Sequence, residues 1–236
     1  NKDLNRSFTM ENIERINNSP LEELDSEDRE VREILASVDI EINDYQPEKV
    51  VFMDIHTTTA YGGIFAIAAD DPESQRIGIE LQVPVITGML KGIKGTTLNH
   101  FTKENYGRDT TCIVFEAGQH NEALSVNRAF AAITNCMRAI GSIRGEDVEN
   151  QHNELLIEYA KNLPKKAEML SVHKIHPGDN FALVPNFKNF QPIAKGDVLG
   201  TDKNGVIKAD KDCLILMPLY QKQGEDGFFL IKEILH

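Results

Sequence analysis

The sequence predicts an α/β fold: a mostly parallel or mixed sheet with flanking helices, followed by a smaller carboxyl-terminal all-β domain. Three observations carry this. Apolar β-type runs at Val50–Met53, Ile64–Ala69 and Thr110–Phe115 alternate with stretches of helical periodicity, the pattern of a sheet covered by helices. After Pro164 the texture changes to short β-like runs between turn signals such as His176-Pro177-Gly178-Asp179 and Lys195-Gly196-Asp197. A length of 236 residues with 41% hydrophobic content supplies core for one large domain or one and a half. The expected division is an α/β domain over residues 1–165 and a β domain over 166–236.

In chain order, Asn1 to Phe8 is polar and turn-prone, with Asn5 and Arg6 adjacent. Arginine matches a carboxylate bidentately and asparagine adds an amide, so the pair suits an anion; an exposed arginine in a flexible end is the plainer reading. From Ser26, an N-cap followed by acids in the first turn and a stripe of Val31, Ile34, Leu35 and Val38 predict a helix. Asn43 to Pro47 reads as a loop leading into Lys49-Val50-Val51-Phe52-Met53-Asp54-Ile55-His56-Thr57-Thr58-Thr59. Val50 to Met53 predict a central strand buried on both faces. Two residues apart, Asp54 and His56 should project together from its carboxyl end, where open α/β sheets hold ligands. The pair suits a metal-ligating or proton-transferring imidazole, and equally a hydrogen-bonded histidine beside a turn-capping aspartate.

Ala60 to Gly63 reads as a turn, Ile64 to Ala69 as a buried strand, Pro72 to Leu81 as a helix starting near Asp71, and Val83 to Ile86 as a short strand. Residues 91–107 read as a loop or hairpin. Thr110 to Gln119 is a second apolar run that ends in a carboxylate, Glu116, before a glycine turn. A buried glutamate is costly unless paired or raised in pKa, and so makes a natural general base; it also suits a helix cap. The helix that follows, about His120 to Ser142, carries Val126, Phe130, Ile133, Met137 and Ile140 on one face, expected to pack on the sheet. A more polar helix from Asp147 ends near Asn162.

With 37 acidic against 25 basic residues, the net charge of −12 argues against nucleic acid or anionic membrane as partner. Three cysteines, Cys112, Cys136 and Cys213, without C-x-x-C spacing fit reduced thiols and a cytoplasmic setting. No apolar run has the length of a membrane helix, and the amino end lacks signal-peptide character. A leader ahead of Asn1 would not show in this sequence.

Asp3-Leu4-Asn5-Arg6, Asp54-Ile55-His56-Thr57-Thr58 and Glu116-Ala117-Gly118, in this order, resemble the succinylglutamate desuccinylase/aspartoacylase family of zinc-carboxypeptidase-like deacylases. Pro177-Gly178-Asp179 and Leu216-Met217-Pro218-Leu219-Tyr220 resemble that family's carboxyl-terminal β domain. The resemblance implies a zinc-dependent hydrolase cleaving the amide of a small anionic N-acyl amino acid, and leaves a homo-oligomer open. It makes His56 a zinc ligand, Glu116 the general base, Asn5 and Arg6 the grip on a substrate carboxylate, and Arg108 a second clamp. The family's other zinc ligands come from an H-x-x-E motif upstream of its D-L-N-R, and none occurs in these 236 residues. The expectation is a longer protein that carries the missing strands and ligands. The alternatives are a carboxypeptidase-like peptide hydrolase, or an anion-binding remnant without zinc. Phe228-Phe229 stands where aspartoacylases have tyrosines near the substrate.

Overall fold

The computed structural model describes residues 2–149, 151–221 and 224–234. Helices α1 (Met10–Asn18) and α2 (Ser26–Tyr45) lead to strands β1 (Lys49–Thr58) and β2 (Phe65–Ala68), then α3 (Pro72–Glu80) and β3 (Val85–Thr87). Short helices α4 (Thr97–His100) and α5 (Lys103–Tyr106) precede β4 (Asp109–Gln119), α6 (Leu124–Ala139) and α7 (Gln151–Ala160). The remainder is β5 (Lys166–Lys174), β6 (Ala182–Leu183), β7 (Gln191–Ile193), β8 (Val198–Asp202), β9 (Gly205–Lys208), β10 (Cys213–Leu216) and β11 (Asp226–Glu233). The chain forms two compact units, one of residues 1–54 and 90–112, the other of residues 55–89 and 113–236.

In the first unit α1 and α2 pack through Ile13, Ile16, Val31, Leu35 and Ile42, all buried. Thr9 caps α1 by accepting from the Asn12 amide, and Asp25, one residue ahead of the expected Ser26, caps α2 through the Asp28 amide. α2 continues to Tyr45 through the stretch expected as a loop and closes on Gln46 in the left-handed region. Asp28 is 1% exposed, between Lys2 at 2.7 Å and Arg15 at 2.6 Å. Burial opposes its charged form, but the two cations overcome that cost and hold its carboxyl below the usual range.

The stretch 91–107, expected as a loop or hairpin, contains two one-turn helices capped by Thr96 and Thr102. They carry an aromatic cluster in which Phe52 stacks on Phe101 at 3.9 Å, and His100 lies edge-on to Phe101 and Tyr106. Burial pushes the His100 imidazole below its ordinary pKa, with Asp39 opposing weakly. The unfolded chain protonates first as pH falls, so this contribution is complete above the ordinary histidine value and is lost through the folded one. Between pH 7.5 and 5 the stability of wild type should therefore fall, with a limiting slope of about 1.4 kcal/mol per pH unit for one proton. Urea midpoints across that range should fall less in His100→Gln; parallel curves would place the titration elsewhere.

In the second unit β2 is buried along its length and sits between β4, antiparallel with Phe65 opposite Glu116, and β3, parallel with Ala66 opposite Val85. β3 pairs parallel with β5, which pairs antiparallel with β11. The order of the eight-stranded sheet is β1-β4-β2-β3-β5-β11-β10-β7, so it is mixed. β1 is an edge strand and mostly half-buried, in contrast to the central, doubly buried strand expected. Its polar end also continues in strand through Thr58. The segment after residue 165 is all-β in its described residues, but β5, β11, β10 and β7 extend the large sheet, and β6-β8-β9 alone form a separate one. Phe187, Ile193, Leu199, Ile215, Phe228 and Leu230 make a core there.

The largest departure concerns α6. Val126 and Phe130, expected to face the sheet, are 59% and 61% exposed, and Ile133 and Met137 are also outside the core. The buried side consists of Ser125, Arg128, Ala131, Ala132, Asn135 and Cys136. Small residues permit close approach, and Arg128 is buried because it is paired rather than because it is apolar.

Candidate functional site

In the first unit, Asp3 and the residues after it form a single tight turn. The Asp3 carboxylate accepts from the Asn5 amide at 2.9 Å, and the Asp3 carbonyl accepts from the Arg6 amide and the Ser7 hydroxyl. Arg6 Nη1 donates to its neighbour's carbonyl, Asn5 O, at 2.7 Å. The turn lies on residues 95–97: the Phe8 amide donates to Gly95 O at 2.9 Å, and Asn5 Oδ1 accepts from the Thr97 amide at 3.4 Å. The Thr97 hydroxyl donates to Asp54 Oδ2 at 2.6 Å. Asn5 and Asp54, two sequence landmarks, thus meet on one threonine at the amino end of a short helix.

Arg108 is placed otherwise. Its Nη1 donates to the Pro47 carbonyl at 2.9 Å. That bond joins the residue before β4 to the residues leading into β1, whereas His56 and Glu116 lie toward the carboxyl ends of those strands. Arg108, expected as a second clamp, thus carries a main-chain tie through Nη1.

In the second unit, His56 is half-buried in β1, and the hydroxyls after it are bound to neighbouring chain. Thr57 Oγ1 meets His120 Nδ1 at 2.7 Å, and the His120 amide donates to Thr58 O at 3.0 Å. Thr58 Oγ1 donates to Ala60 O and accepts from Asn189 Nδ2, while Thr59 Oγ1 donates to Pro218 O. Asn189 Oδ1 accepts from the Met217 amide at 2.7 Å, so the loop after His56 is fixed by the carboxyl-terminal strands' connections. Glu116 is 4% exposed on β4. The strand does not turn at Gly118, as expected, but runs on to Gln119 with Gly118 at φ +117.

Beyond Glu116 lies a group that the sequence does not announce. Arg128, 1% exposed, donates from Nη1 to Ala117 O at 3.2 Å and to Glu122 Oε2 at 2.9 Å. Its guanidinium lies 3.6 Å from the centre of the Tyr159 ring. Glu122 Oε2 also accepts from the Gln119 amide at 2.9 Å. Burial disfavours the Glu122 carboxylate, yet the Gln119 amide and Arg128 outweigh it and lower its pKa. Glu122 and Arg128 occur in the sequence as ordinary helix-surface residues; their spacing gives no signal.

A catalytic zinc takes three protein ligands. Among the described residues, no three side chains of His, Cys, Asp or Glu converge as a metal site. His56 would supply one ligand, and the residues present do not fit a complete zinc centre. Cys112, Cys136 and Cys213 are buried thiols, and burial raises the pKa of Cys136 and Cys213. Among the described residues no helix is long and apolar enough to cross a membrane.

A mixed sheet with helices alternating along its first half defines an α/β fold. Succinylglutamate desuccinylase from Vibrio cholerae superimposes with a TM-score of 0.59 over 98% of this chain at 15% identity. Succinylglutamatedesuccinylase/aspartoacylase from Rhodobacter sphaeroides gives 0.57 over the whole chain at 12% identity, covering 69% of that structure. The Chromobacterium violaceum succinylglutamate desuccinylase gives 0.56, again over the whole chain, at 19% identity and 68% of its own length. The chain spans 65% of the length of the Vibrio cholerae structure. Neither a family model nor a curated protein matches at the level of sequence. The resemblance carried by the three motifs is thus met by the fold of the whole chain.

Proposed function

We propose that this chain is part of a hydrolase that cleaves the amide bond of a small N-acyl amino acid. The observation that carries the reading is a glutamate, Glu116, kept 4% exposed on a strand of a sheet whose fold is that of desuccinylase structures. A carboxylate withdrawn from water is well suited to general-base work. In this reading Glu116 takes a proton from the attacking water as its oxygen adds to the amide carbonyl. The same proton passes to the nitrogen as the C–N bond breaks, giving a free amine and a carboxylic acid, which then gives up its remaining proton to the amine or to solvent.

Asn5 and Arg6 receive a substrate carboxylate, supported by a turn that Asp3, Gly95 and Thr97 hold in place. Zinc is the expected cofactor, with His56 as the ligand this chain offers. The protein would act in the cytoplasm on a soluble anionic substrate rather than on nucleic acid or membrane, in keeping with its net charge of −12.

The test is amine release by the protein expressed from its complete reading frame, assayed on N-acetyl and N-succinyl amino acids and on short peptides, with zinc measured on the same sample. Turnover of N-acyl amino acids with about one zinc per chain is expected. Cleavage of peptides alone would replace the reading with a carboxypeptidase-like one. Saturable binding of N-acyl amino acids without turnover or metal would replace it with an anion-binding module.

A further inference from the structure

We propose that Arg128, with Glu122, is a positioning residue for Glu116; this rests on the reading above in which Glu116 is the general base. The antiparallel ladder between β2 and β4 runs from Ala68 opposite Ile113 to Phe65 opposite Glu116 and goes no further. Glu116 is thus the last residue of β4 that β2 holds. Past that point β4 keeps β1 as its sheet neighbour on the other edge, and Ala117 and Gln119 gain side-chain partners from α6 and its approach. Ala117 O accepts from Arg128, the Gln119 amide donates to Glu122, and Gln119 O accepts from the Ser125 hydroxyl at 3.2 Å.

Gly118, between these anchors, is the residue that allows the clamp to close. A Cβ built there would overlap Arg128 Nη1 and lie 2.5 Å from Glu122 Oε2. The clamp is braced from behind by Tyr159, whose ring lies under the guanidinium and whose hydroxyl donates to Glu122 Oε1 at 3.4 Å.

Fold stability alone is a weak reason for such a group, because a buried ion pair usually contributes no more than an apolar replacement of the same volume. Geometric definition is a better one. A general base must stay within hydrogen-bond reach of its proton, and a misplacement of about 1 Å can cost about a hundredfold in rate. The clamp adds anchors on the main chain at the point where the β2 ladder stops, directly after the residue whose position matters.

Arg128→Lys tests this in the full-length protein. Lysine keeps the charge opposite Glu122 but lacks the planar fork that reaches Ala117 O and stacks on Tyr159. On the best N-acyl amino acid substrate, kcat should fall about ten- to hundredfold with KM within about threefold. In a Glu116→Gln background the same change should add nothing, because a group that acts only through Glu116 has nothing left to act on. Glu122→Gln, which loosens the clamp from its other side, should lower kcat in the same direction.

Unchanged kcat in both single variants, or losses that multiply in the double variant, would overturn the positioning role and leave the hydrolase reading standing. Loss of cooperative unfolding in both would make the cluster a folding element and overturn it too. A wild-type protein without turnover removes both the reading and the inference.

Discussion

Glu116→Gln is expected to lower turnover of N-acyl amino acids by about a hundred- to ten-thousandfold, the range that a single proton-transfer group supplies. The change is nearly isosteric and removes the carboxylate's charge and with it the ability to take a proton. Glu116 is 4% exposed, and an uncharged amide of the same shape fits the same site, so the variant should still unfold cooperatively. KM should move little, because the substrate carboxylate is assigned to Asn5 and Arg6. Steady-state kinetics and a melting curve on one preparation separate the possibilities. Turnover within about threefold of wild type would remove Glu116 from the mechanism, and a collapsed midpoint would make it a structural residue.

Where the sequence was informative, the signal was local. Asp71 before Pro72 announced α3, and both Asp71 carboxylate oxygens accept from the first-turn amides of Glu73 and Ser74. The apolar run of Ile64 to Ala69 announced β2, whose residues are buried without alternation. The helices capped by Thr96 and Thr102 fall in a stretch that reads as a loop or hairpin, because four-residue helices are too short to show periodicity.

What could not be read was direction. The stripe from Val126 to Ile140 has true helical period, but periodicity does not say which way a stripe faces. The buried side is that of Ala131, Ala132 and Cys136, whose small side chains let backbones approach. The candidate site divides along the same line. Asn5, Asp54, His56 and Glu116 were visible as polar groups ending apolar runs or filling a polar turn. Thr97, His120, Asn189 and Arg128 were not, because each is defined by a partner elsewhere in the sequence.

Gly95→Ala should be the most damaging small substitution in the first unit. Gly95 has φ +73, a conformation that costs an L-residue about 1 kcal/mol or more. The added Cβ would also overlap the Arg6 carbonyl oxygen, lie 2.8 Å from its carbon, and meet Thr9 Cγ2 at 3.0 Å. Two of these atoms are backbone, so the turn bearing Asn5 and Arg6 must move away. Moving it breaks the bond from the Phe8 amide to Gly95 O and withdraws Phe8, 3% exposed, from its cluster. Strain, a lost hydrogen bond and a partly emptied core site together predict a loss of about 2–4 kcal/mol. Gly107→Ala is the matched control: Gly107 has φ +64 in the same unit, and a Cβ added there would meet nothing within 4 Å. It should cost only the conformational part, about 1 kcal/mol. Urea unfolding of the two variants therefore separates close approach from backbone preference, and equal losses would mean that the Arg6 turn yields freely. If Arg6 grips the substrate, Gly95→Ala should also raise KM for anionic N-acyl amino acids at temperatures where it remains folded, and Gly107→Ala should not.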